Sequence, residues 1–266
     1  MIKENFKFSY FLTFFFIPLF IAASTSEVPV PNWPSFTGIN QEANFIKRLD
    51  HFIGIPYRDD GVINIYGKFA TWNDLSHTFN TPGLNCSGFV LSSSRFVFMK
   101  NFDPAFMKRD RLNDSYKGAP LGKDWDFGWD LIMNIAEDYH PLVLLPEGKK
   151  EIPKEANGLN LRGFDIHDKR SWRKIFPMIH LDNFYLATLS KKGNKGYIIM
   201  HHHTFCLLKD QKGAVWVYSS SKKNPNRGVA KIEIFPHMQG LELFLDQFQD
   251  EDEKILIIET KPFLRE

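Results

Sequence analysis

Apolar residues recur at three- and four-residue intervals through the first half of the chain, and in the last third the period changes to short strand-like runs separated by turns, so helices come first and strands follow. In Gln41 to Phe52 the positions Phe45, Ile46, Leu49 and Phe52 share one helical face, and Gly54 ends the segment. A polar stretch then leads to a Pro82-Gly83 break, after which Phe89, Val90, Phe96 and Val97 mark a second helix that begins at Cys86. Trp129, Leu131, Ile132, Ile135 and Ala136 predict a short helix within Trp125 to Tyr139, followed by a small apolar segment from Pro141 to Pro146. From Asn183 the period shortens. Strands are expected at Asn183 to Ser190, Tyr197 to Leu208, Ala214 to Ser221, Val229 to Phe235 and Ile255 to Glu259, with a helix at Leu241 to Phe248 between the last two. Helices followed by an antiparallel meander signal an α+β fold.

Between these elements, Asn101 to Gly122 is charged and turn-rich, and Glu147 to Arg173 is punctuated by Gly148, Pro153, Gly158 and Gly163. Residues 41–266 are therefore read as one domain with a long insertion at about 101–173. There is no internal repeat. The N-terminus has a separate logic: Lys3 and Lys7 precede an almost wholly apolar run from Phe8 to Ala22, and Ala22-Ala23-Ser24 supplies the small residues a signal peptidase accepts. Residues 1–24 are expected to be a cleaved signal peptide, since the run is short for a membrane span and contains Pro18. Residues 25–40, rich in Pro and Ser, read as an extended leader.

Composition narrows the partners. A chain of 266 residues with 43% hydrophobic residues and 26 Phe buries a substantial core. A formal charge of +2 without a basic stripe or aromatic-basic repeat argues against nucleic acid. No other segment reaches transmembrane length, so no span is expected once the signal is removed, and the oligomeric state is left open.

Chemistry centres on Asn85-Cys86-Ser87-Gly88. Asn85 is a helix N-cap residue, so Cys86 takes the first helical position, where free N–H groups and the helix dipole favour a thiolate. Gly88 is expected to keep the first turn thin enough for substrate approach. The competing role for Cys86 is a buried structural cysteine. Cys206, the one other cysteine, reads as core, and the pair is expected to be unbonded.

A thiolate needs an imidazole. His201, His202 and His203 lie in the longest predicted strand, where alternation puts His201, His203, Phe205 and Leu207 on one face and His202, Thr204, Cys206 and Leu208 on the other. His203 or His201 is the supplier. Tyr218, Ser219 and Ser220 on the next strand are candidates to orient the ring: pairing Leu208 with Ala214 sets Ser219 opposite His203, and a one-residue shift brings Tyr218 there instead. Metal binding by the histidines needs further ligands, such as His180 or Cys86, at no recognisable spacing, so neither metal nor cofactor is expected.

The loop Ile55-Pro56-Tyr57-Arg58-Asp59-Asp60-Gly61, then Asn-Cys-Ser-Gly-Phe-Val, then Leu181 to Leu186, then a histidine strand followed by another strand resembles the NlpC/P60 cell-wall cysteine peptidases. The resemblance spans about Phe45 to Ser221, with residues 101–173 unmatched. It implies a papain-like α+β fold in which a nucleophile helix packs on an antiparallel sheet, and a periplasmic or secreted enzyme that cleaves peptide stems of peptidoglycan. It further implies Cys86 as nucleophile, His203 as general base, Tyr57 as a tyrosine shaping the site, and Tyr218 or Ser219 as the third polar residue. Rival readings are a papain-like acyltransferase, a hydrolase of other amides or esters, and a non-catalytic secreted binding domain.

Overall fold

The structure is a computed structural model that describes residues 28–32, 36–118, 124–193 and 197–262. The expected signal peptide lies outside these residues. Helix α1 (Phe45–Asp50) is shorter than the apolar period suggested, because the Asn44 side chain caps it by accepting from Ile46 N at 2.8 Å. The leader is not free of the body of the protein: Phe36 is fully buried, its ring edge-on to Phe52 at 4.8 Å and stacked on Phe96 at 6.0 Å.

The polar stretch before the cysteine turn forms a small antiparallel sheet of β1 (Gly61–Ile63), β2 (Phe69–Thr71) and β3 (Thr78–Phe79), strands too short for alternation to reveal. Helix α2 (Cys86–Phe98) follows, then the short helices α3 (Pro104–Met107) and α4 (Ser115–Gly118), and α5 (Phe127–Ala136). The region read as an insertion contributes to the main sheet: β4 (Leu142–Leu145) pairs with β5 (Gly148–Glu151), and β6 (Phe164–Asp165) precedes α6 (Lys169–Ile175).

The last third holds β7 (Phe184–Lys192), β8 (Ile199–Lys209), β9 (Val215–Ser220), β10 (Val229–Phe235), α7 (Met238–Leu245) and β11 (Lys254–Thr260). The antiparallel sheet runs β10-β9-β8-β7-β11-β4-β5, with β6 pairing β11 at the side. The β7 to β10 meander matches the sequence pattern. The last strand returns beside β7 rather than beside β10, and so joins the meander to β4 and β5. The fold is α+β.

Both faces of the sheet are covered. Leu186, Cys206, Leu208, Tyr218, Leu256 and Ile258 pack with α1, α2 and α5, whereas Tyr185, Ala187, Phe205, Leu207, Val217 and Ile257 pack with α6 and α7. That is why the central strands read as nearly continuous apolar runs.

Helix α2 is buried along its length, and its polar residues are satisfied internally. Ser92 Oγ donates to Gly88 O at 2.6 Å and Ser94 Oγ to Val90 O at 2.7 Å. Arg95, also buried, donates to the carbonyls of Ile63, Asn64 and Phe102, tying the far end of the helix to the small sheet. Burial draws its pKa down to about 10, and these carbonyls solvate the charge it keeps.

Candidate active site

Two loops set the position of Cys86. The Ile55 to Gly61 loop lies alongside the cysteine turn: Leu84 N donates to Pro56 O at 3.0 Å, Arg58 N to Leu84 O at 3.2 Å, and Asn85 N to Gly61 O at 3.0 Å. Ser220 Oγ, at the end of β9, donates to the Leu84 carbonyl at 2.7 Å. Asn85 caps α2 by accepting from Gly88 N at 2.7 Å, and its oxygen also accepts from Trp72 Nε1 at 3.3 Å. Gly88 serves packing rather than substrate access, because a Cβ there would meet Gly61 O at 1.9 Å. The helix start is therefore seated directly on β1.

Burial by itself raises a thiol pKa. At Cys86 that effect is outweighed by a hydrogen bond to the His203 side chain, by the charge of that imidazole, and by bonds from the Thr204 backbone and the Ser87 hydroxyl, which bring the thiol down to about 6. Ser87 Oγ stands 3.8 Å from the sulfur. The free N–H groups of the first helical turn act in the same direction. Tyr57 adjoins the sulfur, and its phenol is pushed up to about 12 by burial and then by the charges of Cys86 and Asp59.

The structure brings Cys86, His203 and Tyr57 together and leaves Tyr218 and Ser219 out. Residue pairing along β8 and β9 sets Leu208 opposite Trp216, because the hairpin turn at Asp210 to Gly213 aligns the strands two residues away from the first register considered. Strand β9 thus ends, at Ser220, before the level of His203. Tyr218 faces α1, where its hydroxyl donates to Asp50 Oδ1 at 2.6 Å. Ser219 Oγ accepts from Asn224 Nδ2 at 3.4 Å. Neither orients the imidazole. His203 Nε2 is buried without a hydrogen-bond partner among the described residues, and the ring is held by stacking on Phe205 at 5.9 Å and by Phe248 at 5.2 Å.

The expected alternation of the histidines also fails, for a local reason. Strand β7 pairs Leu189 with His203 and Ser190 with His201, so His202 is an extra residue at a bulge and the two flanking histidines face opposite sides of the sheet. His201 turns toward α5, between Trp125 and Trp129 at 6.0 and 6.2 Å, with Nε2 at 3.0 Å from Gly158 O. Burial lowers its pKa to about 4, so it is a neutral core histidine. Of the metal ligands considered from sequence, His180 is exposed on the segment before β7.

Cys86 and His203 share a cleft of about 500 Å³ with Tyr57, Trp72, Phe127 and Thr204. Asp60, Lys108 and Asp124 supply charge along its walls. Trp72 and Phe127 meet edge to face at 5.3 Å and form one side. Sequence patterning did not single out Trp72, Phe127 or Lys108, which lie on separate segments with no shared period. Behind this side Asp126 and Asp130 are buried, and burial followed by neighbouring carboxylates pushes Asp126 up to about 8. Burial likewise brings Asp130 to about 7.

Cys206 is chemically opposite. It is buried between β8 and α2, 3.7 Å from Ser93 Oγ, and burial pushes its thiol up to about 12. Both cysteines are free. Comparison of the chain with protein-family models, with curated proteins and with solved structures returned no match. Among the described residues no helix is long and apolar enough to cross a membrane.

Proposed function

We propose that the protein is an exported thiol hydrolase of the papain-like NlpC/P60 kind, acting on amide bonds in peptide stems of peptidoglycan. The observation that carries this reading is the pairing of Cys86 with His203 at the start of a buried helix, beside an open cleft, with the thiol lowered to about 6. Cys86 Sγ, as thiolate, attacks the carbonyl carbon, and the oxyanion forms within reach of the Cys86 N–H and a neighbouring donor. His203 gives its proton to the leaving amine, then takes one from the water that cleaves the thioester, and the thiolate returns. Tyr57 borders the reacting sulfur and shapes the near wall. The orienting role of a polar third residue passes to the aromatic clamp of Phe205 and Phe248. Export rests on the apolar N-terminal run and its small-residue site, and the peptidoglycan substrate rests on the order of the motifs.

The test is digestion of purified peptidoglycan followed by mass spectrometry of the soluble products. Wild-type protein is expected to release stem-peptide fragments with new amine and carboxylate ends, and Cys86→Ala to lower that release at least a thousandfold while remaining folded by circular dichroism. Equal release by Cys86→Ala would overturn the thiol mechanism. Transfer of the acyl group to an added amine, at the expense of hydrolysis, would replace hydrolase by acyltransferase.

A further inference from the structure

Beside the cysteine-histidine pair, a second group of side chains has no role in the chemistry above. Glu253, at the approach to β11, is fully buried at its side chain, yet neither carboxylate oxygen has a hydrogen-bond partner among the described residues. A buried, unsolvated carboxylate calls for a positive partner. His202, the bulged residue of β8, makes an ion-pair contact with it, Nε2 to Glu253 Oε1 at 3.2 Å, that falls short of a well-aligned hydrogen bond and leaves the second oxygen without one. Asp250 contributes a third oxygen, and one ligand atom from each of the three lies within 4.8 Å of the others. Three ligand-type atoms this close together, one of them on a fully buried carboxylate, can converge on one ion.

We propose that His202, Asp250 and Glu253 form a binding site for a divalent cation of the zinc class. One imidazole nitrogen and two carboxylate oxygens are a mixed set that zinc accepts at about 2.0–2.2 Å, and they leave a fourth position for water. His167 Nε2 lies 3.7 Å from Glu253 Oε2, within ion-pair reach of the second carboxylate oxygen. Access comes from the exposed Asp250, which lines with His202 a smaller cleft of about 300 Å³ that also reaches His203. Lys191 donates to Asp250 Oδ2 at 2.9 Å, so the cation displaces or shares that contact.

The site's consequence is positional. It ties the β8 bulge to the start of β11 through the residue next to His203, whose Nε2 has no hydrogen-bond partner among the described residues. The cation takes no part in bond cleavage, and the inference stands apart from the hydrolase reading.

The experiment uses the full chain carrying Cys86→Ala, which removes the thiol as a competing ligand. Zinc is titrated in against a chromophoric chelator. One ion per chain is expected, with affinity lowered at least tenfold by Asp250→Asn and by Glu253→Gln, and left within twofold by His203→Ala. Asp250 is exposed, so its variant keeps the test valid where Glu253→Gln fails to fold. Absence of stoichiometric binding, binding unchanged in Asp250→Asn, or binding lost in His203→Ala would each overturn the proposal.

Discussion

Cys86 and Cys206 sit between the same two elements, helix α2 and strand β8, and differ only in where along them they lie. At the mouth of the helix, Cys86 meets an imidazole, a backbone amide and a hydroxyl, and its thiol falls to about 6. Toward the middle, Cys206 meets apolar neighbours and Ser93, and its thiol rises to about 12. Both are buried enough for desolvation to be the largest single influence on the thiol. Cys86 is half-buried and Cys206 fully buried, and the direction of each shift follows from whether anything nearby compensates the thiolate charge.

Alkylation by iodoacetamide probes that contrast most directly. At pH 7 labelling is expected at Cys86 and not at Cys206, with a midpoint near pH 6. His203→Ala should move the midpoint toward the ordinary thiol value of about 9 and slow labelling at pH 7 on the order of fiftyfold, as the thiolate fraction falls. An unmoved midpoint in that variant would break the comparison. The same shifts link to stability with opposite signs. The lowered Cys86 thiol stabilises the fold above pH 9, and this contribution is lost as pH falls through about 6. The raised Cys206 thiol favours the fold below pH 9, and that preference is lost as pH climbs toward 12.

A smaller effect tests the seat of the reactive end. Gly88→Ala forces a Cβ to within 1.9 Å of the Gly61 carbonyl oxygen, a backbone atom that cannot swing away, and should cost about 2–3 kcal/mol in chemical denaturation. A cost below about 0.5 kcal/mol would mean that α2 does not rest on β1 as described. Smallest are the hydroxyl and amide truncations. Asn85→Ala removes the cap and the Trp72 partner, with an expected loss of about 1 kcal/mol and slower Cys86 labelling. Ser93→Ala, at the Cys206 end, should cost less and leave labelling unchanged, and calorimetry on both variants decides the order.

Much of the scaffold was legible because it follows from repetition. Phe89, Val90, Phe96 and Val97 place α2, and the apolar, turn-bounded runs of the last third place β7 to β10, since a long buried element leaves its pattern in sequence. The three strands from Gly61 to Phe79 were not legible, because two or three residues carry no period. The place of residues 142–145 in the main sheet is not legible for a related reason. Leu142 to Leu145 is a plain strand, but only pairing with Ile257 and Ile258 of the last strand makes it part of the main sheet.

The sequence by itself determined that the chain is α+β, that Cys86 begins a helix capped by Asn85, and that a histidine strand follows it. These are local facts, fixed by a cap, a break and a period. Tertiary structure alone decided which histidine meets the thiol and what stands behind it. A single bulged residue at His202 turns His201 into the core and His203 toward Cys86, and a hairpin two residues out of the simplest register carries Tyr218 and Ser219 away from the ring. Register and bulges depend on how neighbouring strands pair, and one strand's sequence does not record its partner's offset.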